Sequence, residues 1–363
     1  MADFEVIFMD AGQGDCTLIV YPDGSLTLVD CGSTKSGSEA LVEIQKVIDL
    51  KFQIHKKEWF TMVLTHPDED HYNLLERVKI EKYFDSGGPF AVFYGGDIEL
   101  YQNKKDNNYT YNLLKFFKEN KAAFRPDTVS IQREGLLSRA GVDVTILAAN
   151  CTGDPSSKNG PKKNSNSIVL LVEYQGAKIF LMGDAFMRTE QFIHDAYNQA
   201  NQLHRLQKQA GESVVLKMGH HGSDTSTSTG WVDLISPDIV VVSAGTKAFG
   251  KGSGMPKESH LNTTLQHCPQ LVQDTGISQS YVVYDDGLKK PEFAKRNPTK
   301  KGIWTTCYDF RKDSETQYFE AGQTWYYGVE ISGNSKKQKS NHWYGYTGYE
   351  QDSTDDDDDD DMT

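Results

Sequence analysis

The chain has 363 residues, a formal net charge of −13 and 37% apolar residues. That length buries a sizeable core, either as one large domain with an extension or as two domains. No apolar stretch reaches the ~20 residues of a membrane span, and Met1-Ala2-Asp3-Phe4-Glu5 lacks the basic-then-apolar order of a secretory leader. A membrane-embedded or exported protein is therefore not expected. The five cysteines (Cys16, Cys31, Cys151, Cys268 and Cys307) are odd in number and show no Cys-x-x-Cys spacing. Reduced thiols and a cytoplasmic location are the expectation. Asp352 and Asp355 through Asp361 supply eight negative charges and leave −5 for the rest. Such a run repels itself and is expected to stay disordered. It reads either as a solubilising end or as a nucleic-acid mimic for a basic partner protein.

Residues 4–34 alternate short apolar runs with turns, including Pro22-Asp23-Gly24 between Leu18-Ile19-Val20 and Leu26-Thr27-Leu28. Leu41, Ile44, Val47 and Ile48 give helical spacing over Ala40–Leu50. Met62-Val63-Leu64 ends a strand, and Asn73–Val78 predicts the start of a helix. Residues 85–165 are the least patterned: strand-like Phe90–Tyr94, a polar helix near Tyr111–Asn120, strand-like Val142–Leu147, then a loop rich in Gly, Pro, Ser, Asn and Lys. Ser167–Tyr174 and Lys178–Met182 read as two strands turning at Gln175-Gly176, and Met187–Gln209 as a helix. Val214–Met218 reads as a strand, and 231–245 as a helix followed by a buried strand. Beyond about 270 the pattern is strand-rich and aromatic: Tyr281–Tyr284, Ile303–Tyr308 and Trp325–Ile331, then a polar stretch carrying Trp343, Tyr344, Tyr346 and Tyr349.

Three strand ends carry the chemistry. Thr65-His66-Pro67-Asp68-Glu69-Asp70-His71 follows one, Gly183-Asp184 the second, and Gly219-His220-His221-Gly222-Ser223 the third. A sharp loop after a strand splays neighbouring side chains around one point, because the alternation of the strand is broken. Imidazoles with carboxylates are ligands for divalent transition ions. One such loop is often an accident; three point to a shared site.

This combination resembles the metallo-β-lactamase superfamily, and within it the branch holding the hydrolase domain of competence-type DNA-uptake channel proteins. Met9-Asp10-Ala11-Gly12-Gln13-Gly14-Asp15 resembles the opening signature of that branch, and Leu28-Val29-Asp30-Cys31-Gly32 its second strand and turn. His66-x-Asp68-x-Asp70-His71 is a variant of the His-x-His-x-Asp-His motif, followed in order by Asn164-Ser165-Asn166-Ser167, Gly183-Asp184 and Lys217-Met218-Gly219-His220-His221-Gly222-Ser223. The resemblance covers roughly residues 4–265. It implies an α/β fold of layered α+β type, an αββα sandwich with the metals at one edge between the sheets and a strand-rich C-terminal extension. The corresponding division is a hydrolase domain over 1–270 with an insertion-rich 85–165, an aromatic strand-rich extension over 271–350, and an acidic tail over 351–363.

The resemblance also implies two divalent ions. His66 and Asp68 would hold one, Asp70 and His71 the other, Asp184 would bridge them, and His221 would be a further ligand. Asp70 and His220 are the expected catalytic groups, Asp70 orienting the attacking water and His220 facing the substrate. Asn166, Ser167, Ser223 and Thr225 are candidate hydrogen-bond donors to substrate oxygens. Two departures from the superfamily pattern matter: Asp68 replaces the second histidine, and no histidine lies between His71 and His194. Asn164 or Asn166 would take that vacant place. Carboxylate and amide in place of imidazole make the site harder, moving preference from zinc toward manganese or magnesium.

The expected activity is hydrolysis of a phosphodiester, and hence DNA or RNA as substrate. Lys162, Lys163, Lys217, Lys247, Lys251 and Lys257 lie near the motifs as candidate phosphate contacts. Hydrolysis of a smaller molecule, such as an oligonucleotide signal, another phosphodiester, a lactone or a lactam, is the alternative that the negative body favours. A non-catalytic binding module working through the acidic tail is a third.

Overall fold

The structure is a computed structural model, and it describes residues 4–9, 11–33, 38–55, 59–84, 90–103, 108–126, 129–151, 163–243, 254–268, 280–283, 292–295, 304–305, 326–331 and 341–345. Two sheets face each other. In the first, β1 (Phe4–Met9), β2 (Cys16–Val20) and β3 (Leu26–Cys31) form an antiparallel meander. Helix α1 (Ser38–His55) then crosses to β4 (Phe60–Leu64), which runs parallel to β3. The strands β5 (Phe90–Tyr94) and β6 (Ala123–Phe124) extend the parallel half, with α2 (Tyr109–Glu119) between them.

The second sheet repeats this plan. β7 (Asp143–Ala148), β8 (Val169–Tyr174) and β9 (Ala177–Leu181) are antiparallel, and β10 (Ser213–Lys217) and β11 (Ile239–Val242) follow in parallel. Its crossovers carry α3 (Met187–Gln199) and α4 (Thr229–Ile235), and α5 (Glu258–Gln266) follows β11.

Side-chain alternation builds the layers. Val63, Val29, Leu170, Val172, Ile179 and Val215 meet between the sheets. Their sequence neighbours Met62, Leu64 and Leu28 pack instead with Ile44, Ile48 and Leu114 of the helices on one outer face. Leu171, Phe180, Val214 and Leu216 pack with Ile193, Trp231 and Ile235 on the other. The result is the expected αββα sandwich, and double-sided burial explains why its strands read as unbroken apolar runs.

The C-terminal strands join this framework. β12 (Ser280–Val283) pairs with β13 (Glu292–Lys295), while the short β14 (Trp304–Thr305) lies parallel to β11 in the second sheet. β15 (Tyr326–Ile331) pairs antiparallel with β1, setting Phe4 opposite Ile331, and β16 (Asn341–Gly345) continues outward from β15. The acidic run at 352–361 lies outside the described residues, as do Lys162, Lys247 and Lys251. Among the described residues, no helix is long and apolar enough to cross a membrane.

Two elements differ from the expectation. The stretch 72–79 is a run of turns rather than a helix. Its two α-helical bonds are separate, from the Asn73 amide to the Glu69 carbonyl and from the Val78 amide to the Leu74 carbonyl, each at 2.9 Å. Lys79 then adopts a left-handed φ of 53° before a 3-10 turn at Ile80–Tyr83. The helix from Met187 stops at Gln199, because Asn201 takes a φ of 55°, and a separate 3-10 turn forms at Leu203–Arg205.

Candidate metal centre

All the ligand-type loops emerge on one edge of the sandwich. β4, β9 and β10 deliver theirs from their C-terminal ends. Asp15 precedes β2 and Asn164–Ser167 precede β8, and both strands run antiparallel to their neighbours β3 and β9. Their starts therefore share an edge with those neighbours' ends.

Backbone packing makes this convergence possible. A Cβ on Gly32 would lie 2.2 Å from the Asp70 carbonyl carbon, so only glycine lets the β3 turn touch the loop that carries Asp70. Gly183 has a φ of 53°, and a Cβ there would meet the Thr65 side chain at 3.0 Å. The two strand ends holding His66 and Asp184 are thereby drawn together.

Asp184 sits between two sets of nitrogen and oxygen atoms. Its Oδ1 faces His71 Nε2 at 3.2 Å and His221 Nε2 at 3.6 Å. Its Oδ2 faces His66 Nε2 at 3.6 Å and His220 Nε2 at 3.9 Å. Asp68 Oδ2 approaches His66 Nε2 at 3.6 Å, and Asp70 Oδ2 approaches His221 Nε2 at 3.3 Å. Asp70, His71, His66, Asp184 and His221 are all buried, whereas the Asp68 side chain is 22% exposed.

These atoms are close without hydrogen-bonding one another. His66 Nε2, His71 Nε2, His221 Nε2 and Asp184 Oδ1 are buried atoms with no hydrogen-bond partner. Leaving so many polar atoms unsatisfied in one place costs several kcal/mol unless a cation takes the lone pairs (~1–3 kcal/mol each). His66, His71 and Asp184 form one group whose ligand atoms lie within 4.8 Å of one another, and Asp70, His71 and His221 form a second. The donor set fits divalent cations.

An outer ring of carboxylates fixes the imidazoles. Asp30 Oδ2 lies 2.7 Å from His71 Nδ1, and since a carboxylate only accepts, Nδ1 carries the hydrogen and Nε2 keeps its lone pair for the centre. Asp30 also accepts from the Thr65 amide and hydroxyl, each at 2.7 Å. Thr65 Oγ1, having donated to Asp30, accepts from His66 Nδ1 at 3.1 Å. Asp15 Oδ1 lies 3.7 Å from His221 Nδ1, and its other oxygen is ion-paired with Lys217. Asp15 and Asp30 took no assigned role in the sequence reading. The signal was available, because both end or begin a strand on the loaded edge.

The electrostatics follow from crowding. Burial disfavours a charged His71, but Asp184 and Asp30 outweigh it and raise its pKa well above the ordinary imidazole value. His221 is raised in the same way, against burial, by Asp184, Asp70 and Asp15. For Asp184 burial is outweighed by His71, His221 and His220, which hold the carboxyl well below the usual range. Asp68 is also lowered, by His66 and Lys163 against the opposing effect of burial. Burial pulls His220 the other way, below an ordinary imidazole.

The remaining candidates surround this centre. His220 is 21% exposed, and its Nδ1 is tied to Thr225 Oγ1 at 2.9 Å while Nε2 is the nitrogen on the Asp184 side. His220 and His221 both have left-handed φ angles of 47° and 52°, followed by Gly222 at 76°. This strained turn is held by Ser226 Oγ donating to the Gly219 carbonyl at 2.6 Å, and by the buried Glu190 accepting from the Thr227 and Ser228 amides. Asn164 Nδ2 donates to Asp184 Oδ2 at 3.4 Å. Ser167 Oγ accepts from the Asp184 amide at 3.1 Å, and Ser167 and Asn166 are both fully buried. Ser223 Oγ lies 3.0 Å from Thr225 Oγ1 on the His220 side. His194 is on the surface of α3 beside Asp195.

Two lysines differ from the sequence expectation. Lys217, a candidate phosphate contact, is 2% exposed and committed to Asp15. Lys257 pairs with Asp224 at 2.7 Å. The reason for Lys217 is strand parity: its position on β10 turns it beneath the centre rather than toward solvent.

No protein-family model matches the chain. It is 27% identical over 255 residues to ComE operon protein 3 of Bacillus subtilis, spanning 66% of this chain and 28% of that protein. To Recombination protein 2 of Haemophilus influenzae it is 27% identical over 244 residues, 67% of this chain and 24% of the other. Competence protein ComA of Neisseria gonorrhoeae is 25% identical over 272 residues, 74% and 30% of the respective chains. The chain thus spans less than a third of the length of these curated relatives. Among solved structures, it is similar to the metallo-beta-lactamase fold protein YhfI from Bacillus subtilis, at 11% identity and a TM-score of 0.39, covering 68% of this chain and 88% of that one. A diphosphatase from the PhnP family gives 12% identity and a TM-score of 0.33, covering 68% and 77%. With its motifs in order on one edge of an αββα sandwich, the chain resembles the competence-protein branch of the metallo-β-lactamase superfamily and gathers buried histidines and aspartates that could hold divalent metal.

Proposed function

We propose that the protein is a metal-dependent phosphodiesterase acting on nucleic acid. The observation that carries this reading is the Asp184 carboxylate, with one oxygen turned to His66 and the other to His71 and His221. His66, Asp68 and Asp184 would hold one divalent cation, and Asp70, His71, His221 and Asp184 a second. Two such ions, when bound, polarise the scissile group and lower the pKa of a water from 15.7 toward ~7. The preference is for manganese or magnesium over zinc, since Asp68 supplies oxygen where the superfamily pattern has imidazole.

The protein's own groups complete the chemistry. Asp70, fixed beside His221, orients the attacking water. His220, held at Nδ1 by Thr225, turns its other nitrogen to the open side, where it meets the substrate and moves a proton. Asn164 steadies Asp184 through its amide. Ser167, itself buried, fixes the Asp184 backbone, and Ser223 orders the Thr225 hydroxyl that holds His220. The names of the competence and recombination relatives support DNA as the substrate.

Hydrolysis of a smaller molecule is the second reading, favoured by the net charge of −5 outside the acidic run, which disfavours non-specific polyanion binding. Cleavage assays decide between them: single-stranded DNA, duplex DNA, RNA, a nitrophenyl phosphodiester, a lactone and a lactam, each with manganese, magnesium and zinc. The proposal expects manganese-supported cleavage of nucleic acid. Turnover of the lactone or lactam alone would establish the second reading, and no turnover under any metal would leave a binding module.

A further inference from the structure

Lys163 immediately precedes Asn164, whose amide donates to Asp184. Its ammonium donates to Asp68 Oδ1 at 2.8 Å and to the Pro67 carbonyl at 3.2 Å. Asp68 is thereby divided, one oxygen on Lys163 and the other toward His66 Nε2 at 3.6 Å. An ammonium has three N–H donors and no acceptor. Two are engaged, which leaves a third N–H on a side chain that is 22% exposed and fixed against Asp68.

The other lysines named near the motifs differ. Lys217 is buried on Asp15, and Lys257 pairs with Asp224, which is not a ligand of the centre. Lys163 alone among these three combines a fixed position against a ligand of the centre with a spare donor and exposure.

We propose that Lys163 is a substrate-binding residue that gives its third N–H to a non-bridging oxygen of an anionic phosphodiester, and so selects charged phosphodiesters over neutral esters. The inference rests on the phosphodiesterase reading and deepens it by assigning the anion contact. Asp68 and Pro67 hold the ammonium in place before substrate arrives, so little side-chain freedom is lost on binding. The contact is a charge-assisted hydrogen bond, strong and sensitive to salt.

The test compares two dinucleotides of one sequence, a phosphorothioate (anionic) and a methylphosphonate (neutral), for equilibrium binding to the manganese-loaded protein. Lys163→Met is expected to weaken the phosphorothioate about tenfold, leave the methylphosphonate unchanged and flatten the salt dependence. Lys163→Arg should restore most of the difference. Manganese content and unfolding midpoint are measured on the same samples and should match wild type. Equal losses for both dinucleotides, or a Lys163→Met protein that sheds manganese, would overturn the inference and make Lys163 a brace for Asp68. A wild-type protein that binds both dinucleotides alike and cleaves no phosphodiester would instead overturn the functional reading beneath it.

Discussion

Asp15 and Lys217 are 202 residues apart in sequence, yet their side chains form an ion pair at the floor of the centre with at most 4% exposure. One precedes β2 in the first sheet and the other ends β10 in the second, so the pair ties the sheets together where the ligand loops leave them. Burial raises the Asp15 pKa, and Lys217, with His221 and His71, reverses that and holds it low. Asp15 therefore stays an anion facing His221. Removing one partner of a buried pair strands a charge, so Lys217→Met is expected to cost about 3–5 kcal/mol in urea unfolding. Asp15→Leu with Lys217→Met should recover part of that stability. The double variant should still bind metal about 10–100-fold more weakly, because His221 loses its orienting carboxylate.

Asp184→Asn keeps the shape and removes the bridging charge. Turnover is expected to fall at least about a thousandfold, ~4 kcal/mol in barrier. The bound metal, measured by elemental analysis after gel filtration, should fall by about one ion per chain. Full activity in this variant would remove Asp184 from the mechanism.

Metal affinity should depend on pH with a definite sign. His71 and His221 have raised pKa values in the metal-free centre, chiefly because the nearby carboxylates outweigh burial. A raised imidazole pKa means that the proton is held to higher pH, and a cation must displace it before using the lone pair. Affinity for manganese should therefore fall steadily as pH drops through and below neutrality, and proton release should accompany binding. Calorimetry in two buffers of different ionisation enthalpy checks both; affinity independent of pH would contradict the assignment of these imidazoles.

Gly183→Ala tests the close approach of two strand ends. The residue has a φ of 53°, and its new methyl group would meet Thr65 at 3.0 Å. Thr65 in turn holds His66 Nδ1 and Asp30. A loss of at least about 1–2 kcal/mol is expected from the backbone conformation alone, with weaker metal binding beside it. An unchanged unfolding midpoint would mean that the turn relaxes freely.

Much of this architecture was legible in the sequence because it is locally encoded. Val214–Met218 and Lys178–Met182 are apolar runs closed by glycine, and double-sided burial selects such runs. The clustering of His66, Asp68, Asp70, His71, Asp184 and His221 followed from their placement at strand ends. What was not legible depends on distant partners. Nothing near Phe4 announces that it pairs with Ile331. Lys217 reads as a surface cation until Asp15 is seen beneath the centre. Leu74, Leu75 and Val78 have helical spacing and are buried, yet the left-handed Lys79 ends the run of turns before a helix forms.

Anomalous diffraction at the manganese edge, on crystals grown with manganese, tests the central claim most directly. Two peaks are expected, one on each side of the Asp184 carboxylate, the first within bonding distance of His66 and Asp68 and the second of Asp70, His71 and His221. Crystals rich in manganese that show no peak touching Asp184 would contradict it.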